Sequence, residues 1–332
     1  MSLPERILVT GGAGYIGAQC CKALAEAGRE PVVYDNLSRG HRASVKWGPL
    51  VEADLRDRET LTRTLIAHRI EAVIHFAAFA YVGESTAFPQ MYYDNNLGGM
   101  SALLRAMEKA GVGQIVFSSS CATYGTPARL PIDEDSPQAP INPYGRTKLI
   151  CEWMLHDAAA TKGPRFAALR YFNAAGADPD GVIGERHLPE THLIPLALMA
   201  ASGQGPALRV FGTDYPTPDG TCIRDYIHVH DLARAHLLAL EHLAAGGESL
   251  ALNLGTGRGA SVREVIASVE RVTGREVPVT FEPRRAGDPA ELTADPTRAE
   301  TALGFTARFR DLDQIVAHAA PWFGHRIITS AA

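Results

Sequence analysis

Short apolar, β-branched runs alternate along this chain with stretches whose apolar positions recur every three or four residues, the rhythm of a βαβ protein. RILVT reads as a first strand, followed by a helix to about Gly28, then PVVYD and a third strand near LVEADL. The pattern continues through a helix near 57–68, the strand AVIHFAA (72–78), a long helix around 89–110 closing at Gly111, and the strand QIVFSSS (114–120). A helix from Pro143 carries YGRTKLICEWML, and FAALRYFN (166–173) follows. VIHF and IVF are continuously apolar rather than alternating, as expected of parallel strands covered by helices on both faces.

After Asn173 the segment AAGADPDGVIGERHLPE is dense in Gly, Pro and Asp, so it reads as a loop where the chain crosses into a second region. Later elements are shorter: a helix near 191–202, ALRVF, CIRDYIHV, a helix near 231–245, ALNLG, a helix from Ser261, and VPVTF. The expected fold is α/β: a Rossmann-type doubly wound parallel sheet over residues 1–175 and a smaller C-terminal α/β substrate lobe over 176–332. Segments near 223–254 are candidates to return to the first sheet. There is no internal repeat or low-complexity tract.

Composition narrows the function classes. At 332 residues, 46% hydrophobic and 21% charged, the chain is that of a globular enzyme rather than a tail or linker. Its net charge of -5 has the wrong sign for a nucleic-acid binder, and no polybasic run suggests a membrane anchor. The cysteines at 20, 21, 121, 151 and 222 make no CxxC pair and no disulfide framework, which with the absence of a long apolar segment favours a cytoplasmic location.

TGGAGYIG follows the first strand and opens a helix, placing Gly11, Gly14 and Gly17 three apart. Glycines there let the backbone turn tightly and approach a pyrophosphate at a helix N-terminus. A Gly-rich turn without a ligand is the alternative, which the position after a strand disfavours. Asp35, eighteen residues past Gly17 at the end of the second strand, suits an adenosine ribose hydroxyl and would repel a 2′-phosphate. NAD is therefore preferred over NADP, with Arg39 nearby as the contrary indication. Asp54 is placed either to accept from the adenine amino group or simply to cap a strand end.

Ser118, Ser119 and Ser120 end the fifth predicted strand at the sheet edge where such folds bind ligands. Tyr144 and Lys148 follow at i and i+4 of a helix, so they share a face and the ammonium can lie beside the phenol. A phenol made more acidic by positive charge, beside a hydroxyl donor and a nicotinamide, is what alcohol–ketone interconversion by hydride transfer requires. Alone, the pair is an ordinary helical pair. His228 and His230 in IHVH lack the Cys or carboxylate spacing of a metal site and read as packing or capping, so no metal is expected.

TGGAGYIG, VYDNLSRG, HFAA, VGES, YYDNN, FSSS, NPYGRTK, LRYFN, FGTDYPTPDGTCIRDYIHV and PRRAGD, in this order, resemble the extended short-chain dehydrogenase/reductases and specifically the UDP-glucose 4-epimerases, over about residues 5–325. The resemblance implies bound NAD, a UDP-hexose oxidised at C4 to a transient ketone, and a homodimer built on the helices near 89–110 and 143–160. It implies Tyr144 as base and acid, Lys148 as the residue that lowers its pKa and holds the nicotinamide ribose, and Ser120 as the hydroxyl that orients the sugar. Gly11, Gly14, Tyr15, Ile16, Gly17, Asp35, Asn36, Asp54, Leu55, Phe76, Ala77, Ala78, Asn95, Lys148 and Phe172 match cofactor positions. Ser120, Tyr144, Asn173, His192, Leu193, Phe211, Arg224, Arg285 and Asp288 match substrate positions. Planar, permanently charged Arg224 and Arg285 suit a diphosphate. Asp288 suits a ribose hydroxyl or neutralises Arg284 and Arg285.

The sequence departs from that family pattern at Ala80, where many members carry Lys, and at His192, where others have Asn. Leu292 lies near the position that limits the sugar's C2 substituent, so N-acetylhexosamine and UDP-xylose or UDP-arabinose substrates stay open. A 4,6-dehydratase would need an Asp-Glu pair after the fifth strand, where this chain has Cys121, Ala122 and Thr123. A net oxidoreductase, and a non-catalytic NAD sensor or scaffold, are the remaining alternatives; the last has no use for Tyr144 and Lys148.

Overall fold

In the computed structural model, which describes residues 3–285 and 287–327, the first apolar run is strand β1 (Arg6–Thr10) and the glycine turn opens helix α1 (Tyr15–Glu26). The alternation continues through β2 (Glu30–Asp35), β3 (Leu50–Glu52), α2 (Arg58–Ala67) and β4 (Ala72–His75). The single long helix expected over 89–110 is instead three pieces after a short α3 (Val82–Ala87): α4 (Pro89–Tyr92), a wider π turn (Tyr93–Leu97), and α5 (Gly98–Ala110). Within that turn Asn96 is buried, its amide holding the backbone N–H and C=O of Phe79 and the Thr147 hydroxyl at 2.9–3.1 Å. Widening the helix turns this side chain inward, a common use of π turns at functional sites.

Strand β5 (Gln114–Ser120), helix α6 (Pro143–Ala160) and strand β6 (Arg165–Tyr171) complete the N-terminal half. The Asn142 side chain caps α6 by accepting from Gly145 N at 2.8 Å, with Pro143 at its first position. The chain then enters β7 (Asn173–Ala175), α7 (Leu193–Ser202), β8 (Leu208–Phe211), β9 (Ile223–His228), α8 (Val229–Ala244) and β10 (Leu250–Leu254). It ends through β11 (Gly259–Ser261), α9 (Val262–Thr273), β12 (Val279–Glu282), β13 (Glu291–Leu292), α10 (Thr297–Leu303) and α11 (Leu312–Ala319).

Seven parallel strands form the main sheet in the order β10-β6-β5-β4-β1-β2-β3. Successive residues of each strand feed opposite cores, which explains the unbroken apolar runs. Ile7 and Val9 of β1 pack with Cys20 and Leu24 of α1 and Leu232 and Leu240 of α8. Leu8 packs on the other face with Leu61 of α2, Leu103 of α5 and Leu155 of α6. The closing strand β10 and the cover helix α8 thus come from the second half of the chain, whereas β9 stays outside, in a small sheet with β7, β11 and β13. A third core of Ala197, Val265, Val269 and Ile315 holds α7, α9 and α11 together beside it. Among the described residues no helix is long and apolar enough to cross a membrane, and all five thiols are free and buried.

Candidate active site

The strand order reverses between β1 and β4, and the C-terminal ends of these strands open onto a groove of about 1300 Å³. Such a switch point is where open α/β sheets bind ligands, and this volume exceeds the roughly 300–1,000 Å³ of a site for one small molecule. Gly11 has φ of 72°, and a Cβ on it would lie 2.7 Å from the Ala77 nitrogen. A Cβ on Gly17 would overlap the Gly11 carbonyl oxygen. Helix α1 starts at Gly14 with no side-chain cap, so its first N–H groups face the groove unclaimed by the protein's own side chains, a ready anion seat.

At the end of β2 the buried Asp35 carboxylate accepts from Ala13 N at 3.0 Å and Leu37 N at 2.8 Å, which fixes its orientation while leaving lone pairs for a ligand hydroxyl. Burial pushes its pKa up and these two backbone donors oppose it. Arg39 also lines the groove, but its guanidinium is paired with Glu84 at 2.5 Å and lies over the rings of Phe79 and Tyr81, beside the loop that carries Ala80. Asp54 is held by Arg56 at 2.8 Å and Asn36 at 3.1 Å; the arginine keeps its carboxyl well below the usual range. Leu55, Phe76, Ala77, Ala78 and Asn95 complete this wall, with Tyr15 and Ile16 on the α1 side.

Strand β5 ends at Ser120, whose hydroxyl accepts from Ala122 N at 3.2 Å and lines the groove with Tyr144. Burial, then the adjacent Tyr171, push the Tyr144 phenol well above its ordinary value, and hydrogen bonding with Ser120 pulls the other way. Lys148 departs from expectation. It shares the helix face with Tyr144, its nitrogen 5.8 Å from the ring centroid, but the ammonium donates to the Ser118 carbonyl at 2.7 Å and lies 5.0 Å from the Phe117 ring. Of the residues singled out as catalytic, cofactor or substrate contacts, it alone does not line the groove; it sits beneath it, and burial lowers its pKa to about 8. The i, i+4 spacing correctly puts both side chains on one face but cannot say which acceptor claims the ammonium.

The opposite wall comes from the second half: Phe172, Asn173, His192, Leu193, Phe211, Arg224, Arg285, Asp288 and Leu292. Arg285 stacks on Phe211 with its guanidinium carbon 3.8 Å from the ring centroid. Asp288 pairs with Arg224 at 3.1 Å rather than neutralising Arg284 and Arg285; Arg284 is taken by Asp214 at 2.7 Å. Ala286 of the PRRAGD motif lies outside the described residues. His228 caps α8, its Nδ1 accepting from His230 N at 3.0 Å, and its Nε2 meets His318 Nδ1 at 3.0 Å.

Sequence reasoning missed Tyr171, Cys222 and Tyr226, which also line the groove, because residues in or beside apolar strands carry no signal that tells a groove wall from a core. It also missed that Glu185, His187, Glu190 and His192 converge in one corner; the signal was the spacing ExHxxExH inside a stretch read only as a loop. There burial opposes but the two carboxylates prevail, raising His192 to about 10.

The family model described as the NAD dependent epimerase/dehydratase family matches residues 7–255. A UDP-glucose 4-epimerase of Rhizobium meliloti (strain 1021) is 53% identical over 322 residues, covering 97% of this chain and 98% of that one. The crystal structure of UDP-glucose 4-epimerase from Brucella ovis in complex with NAD is 58% identical with a TM-score of 0.96, over 97% and 99% of the two chains. A UDP-glucose-4-epimerase from Stenotrophomonas maltophila, with bound NAD and formylated UDP-arabinopyranose, is 43% identical with a TM-score of 0.93, over 96% and 98%.

Proposed function

The chain belongs to the NAD dependent epimerase/dehydratase family, among the UDP-glucose 4-epimerases, and from that premise we propose how its residues invert C4 of a UDP-hexose. The observation that carries the reading is one continuous groove holding the uncapped glycine turn and Asp35 on one side, Ser120 and Tyr144 at its centre, and Arg224 and Arg285 on the other.

NAD fits the first side. The glycine turn has no room for a Cβ, the start of α1 offers free N–H groups to a pyrophosphate, and Asp35 presents an oriented carboxylate to a ribose diol. When bound, NAD supplies the acceptor and then the donor of the C4 hydride, so the sugar passes through a 4-ketone with no net oxidation. Gly11, Gly14, Tyr15, Ile16, Gly17, Asn36, Asp54, Leu55, Phe76, Ala77, Ala78, Asn95 and Phe172 form its enclosure.

Tyr144 takes the proton of the C4 hydroxyl and later returns it to the same oxygen of the turned ketone, while Ser120 donates to that oxygen and holds it in line. Burial alone makes Tyr144 a poor base. Its activation therefore needs a positive charge brought near it, for which Lys148, through its carbonyl anchor, is the protein's fixed contribution. Arg224 and Arg285 hold the diphosphate, and Asn173, His192, Leu193, Phe211 and Asp288 surround the nucleotide. C4 must expose its other face before the hydride returns, which requires the hexose to turn about a fixed nucleotide; the two arginines are the fixed point.

The test is Tyr144→Phe assayed on UDP-galactose. Loss of the phenol should lower turnover by about 10²–10⁴-fold with nucleotide still bound, and unchanged turnover contradicts the role. Parallel assays with UDP-N-acetylglucosamine and UDP-xylose define how far Leu292 limits the sugar; failure on all of these and on UDP-glucose removes the reading. The homodimer belongs to the same proposal: Trp153 on α6 is 56% exposed and Phe88, at the start of α4, 62%, a surface suited to a second copy. Trp153→Glu should turn a dimer into a monomer in sedimentation velocity, and an unchanged sedimentation coefficient refutes that interface.

A further inference from the structure

We propose that Glu185, His187, Glu190 and His192 form a site for a divalent first-row transition ion, with zinc the best fit to their chemistry, at the substrate end of the groove. Four side chains from one eight-residue segment each aim one ligand atom at a common point, all within 4.8 Å of one another. Glu185 Oε1 lies 3.2 Å from His187 Nδ1 and 3.0 Å from His192 Nδ1; of Glu190, Oε2 lies 3.5 Å from His187 Nδ1 and Oε1 2.7 Å from His192 Nδ1. A tetrahedral ion with bonds of about 2.0–2.1 Å separates its ligands by about 3.3 Å, the edge of the tetrahedron, and the four carboxylate–imidazole separations bracket that value.

Hydrogen bonding accounts for Glu190, whose Oε1 accepts from the backbone N–H groups of Thr191 and His192 and meets His192 Nδ1 at 2.7 Å, but not for the other half of the cluster. Glu185 Oε1 and His187 Nδ1 are both buried and neither makes a hydrogen bond, although they are 3.2 Å apart. The Glu185 side chain is 2% exposed, so this oxygen has no access to bulk water and points only into the cluster. An orphaned buried carboxylate oxygen costs several kcal/mol unless something meets it. His192 Nδ1 faces two carboxylates at once with a single N–H to give. One doubly charged cation balances two carboxylates and uses the lone pairs of two neutral imidazoles, satisfying all four groups together. Two imidazole ligands point away from calcium and magnesium, which prefer oxygen, and toward zinc or its neighbours.

The loop is already positioned for the ion. Lys22 holds Asp178 at 2.7 Å, Lys46 donates to the Val182 carbonyl at 2.7 Å, and the His41 ring meets the Arg186 carbonyl at 3.1 Å, so three parts of the N-terminal half pin the segment that carries the ligands. His187 packs edge-on against Tyr15 and Tyr81, and His192 immediately precedes α7. A bound ion therefore ties the two ends of the 185–192 segment together and fixes His192 in the groove wall.

Full-length protein without an affinity tag, dialysed against a chelator, is titrated with cobalt(II) and then with zinc. Expected are one cobalt per chain with the intense visible absorption of a four-coordinate ion, its displacement by zinc, and a higher melting temperature with zinc. Glu185→Gln, which keeps the shape of the side chain, and His187→Ala should each weaken binding at least about tenfold, with far-UV circular dichroism reporting that both stay folded. A weak six-coordinate spectrum, no saturable binding, or equal affinity in folded variants overturns the site. Because the readout is metal binding rather than turnover, it stands or falls separately from the epimerase reading.

Discussion

Replacing Lys148 with Met should make the fold more stable while abolishing catalysis. Lys148 is 3% exposed, its ammonium donates to one backbone carbonyl, and burial lowers its pKa from 10.5 to about 8. Because the unfolded chain binds this proton more tightly than the folded one, stability rises with pH across the window between about 8 and 10.5, and the cost is fully present below it. At about 1.4 kcal/mol for each tenfold change in proton affinity, the ceiling on that cost is on the order of 3 kcal/mol. Leaving the Ser118 carbonyl without this donor offsets about 1 kcal/mol, so a net gain of about 2 kcal/mol remains at neutral pH. With an unfolding entropy of about 2.1 cal/mol/K per residue, that corresponds to about 3 °C in Tm. Urea unfolding of nucleotide-free wild type and variant, followed by fluorescence, measures it. The gap should narrow by about 2 kcal/mol between about pH 7 and about pH 9.5, because the wild-type lysine then sheds its proton in the folded state. A variant less stable than wild type at neutral pH, or a gap that ignores pH, refutes the argument that this buried charge is kept for function at the expense of stability.

Two further substitutions probe the scaffold of the site. Gly17→Ala drives a methyl into the Gly11 carbonyl, with Gly11 C and Gly12 Cα both 2.9 Å from the new carbon; since all three atoms are backbone, the turn must shift, and the nucleotide copurifying with wild type should be absent from the variant's absorbance spectrum. Glu152→Ala strands Arg170, whose guanidinium meets that carboxylate at 2.6 Å with side chains 7% and 2% exposed, and removes the acceptor of Ser119. Chemical denaturation should show a loss of about 3–5 kcal/mol, the usual consequence of orphaning a buried charge, whereas a loss under 1 kcal/mol shows that water reaches the arginine.

Much of this architecture was legible because it rests on local, repeated features. The glycine turn after β1, the aspartate closing β2 and the serines ending β5 each occupy a position defined by a neighbouring strand, so sequence order placed them at one sheet edge. What escaped was geometry that periodicity does not encode. The π turn at Tyr93–Leu97 differs from an α turn by one residue of register and leaves the apolar pattern of a long helix nearly unaltered. The destination of the Lys148 ammonium depends on a carbonyl thirty residues upstream. The meeting of Glu185 with His192 arises from a loop whose composition announces only that it turns.

The late arrival of β10 bears on how this molecule is made. As the chain leaves a ribosome, its sheet halts at β6 with one edge bare, and it stays so through the 83 residues from Tyr171 to Leu254, during which α8 has also yet to cover α1. At about 5–20 residues per second that interval lasts about 4–17 s. A nascent molecule with an open parallel edge and uncovered leucines is the species that chaperones would meet, and a gene cut anywhere before that strand would encode a fragment unable to finish its own sheet.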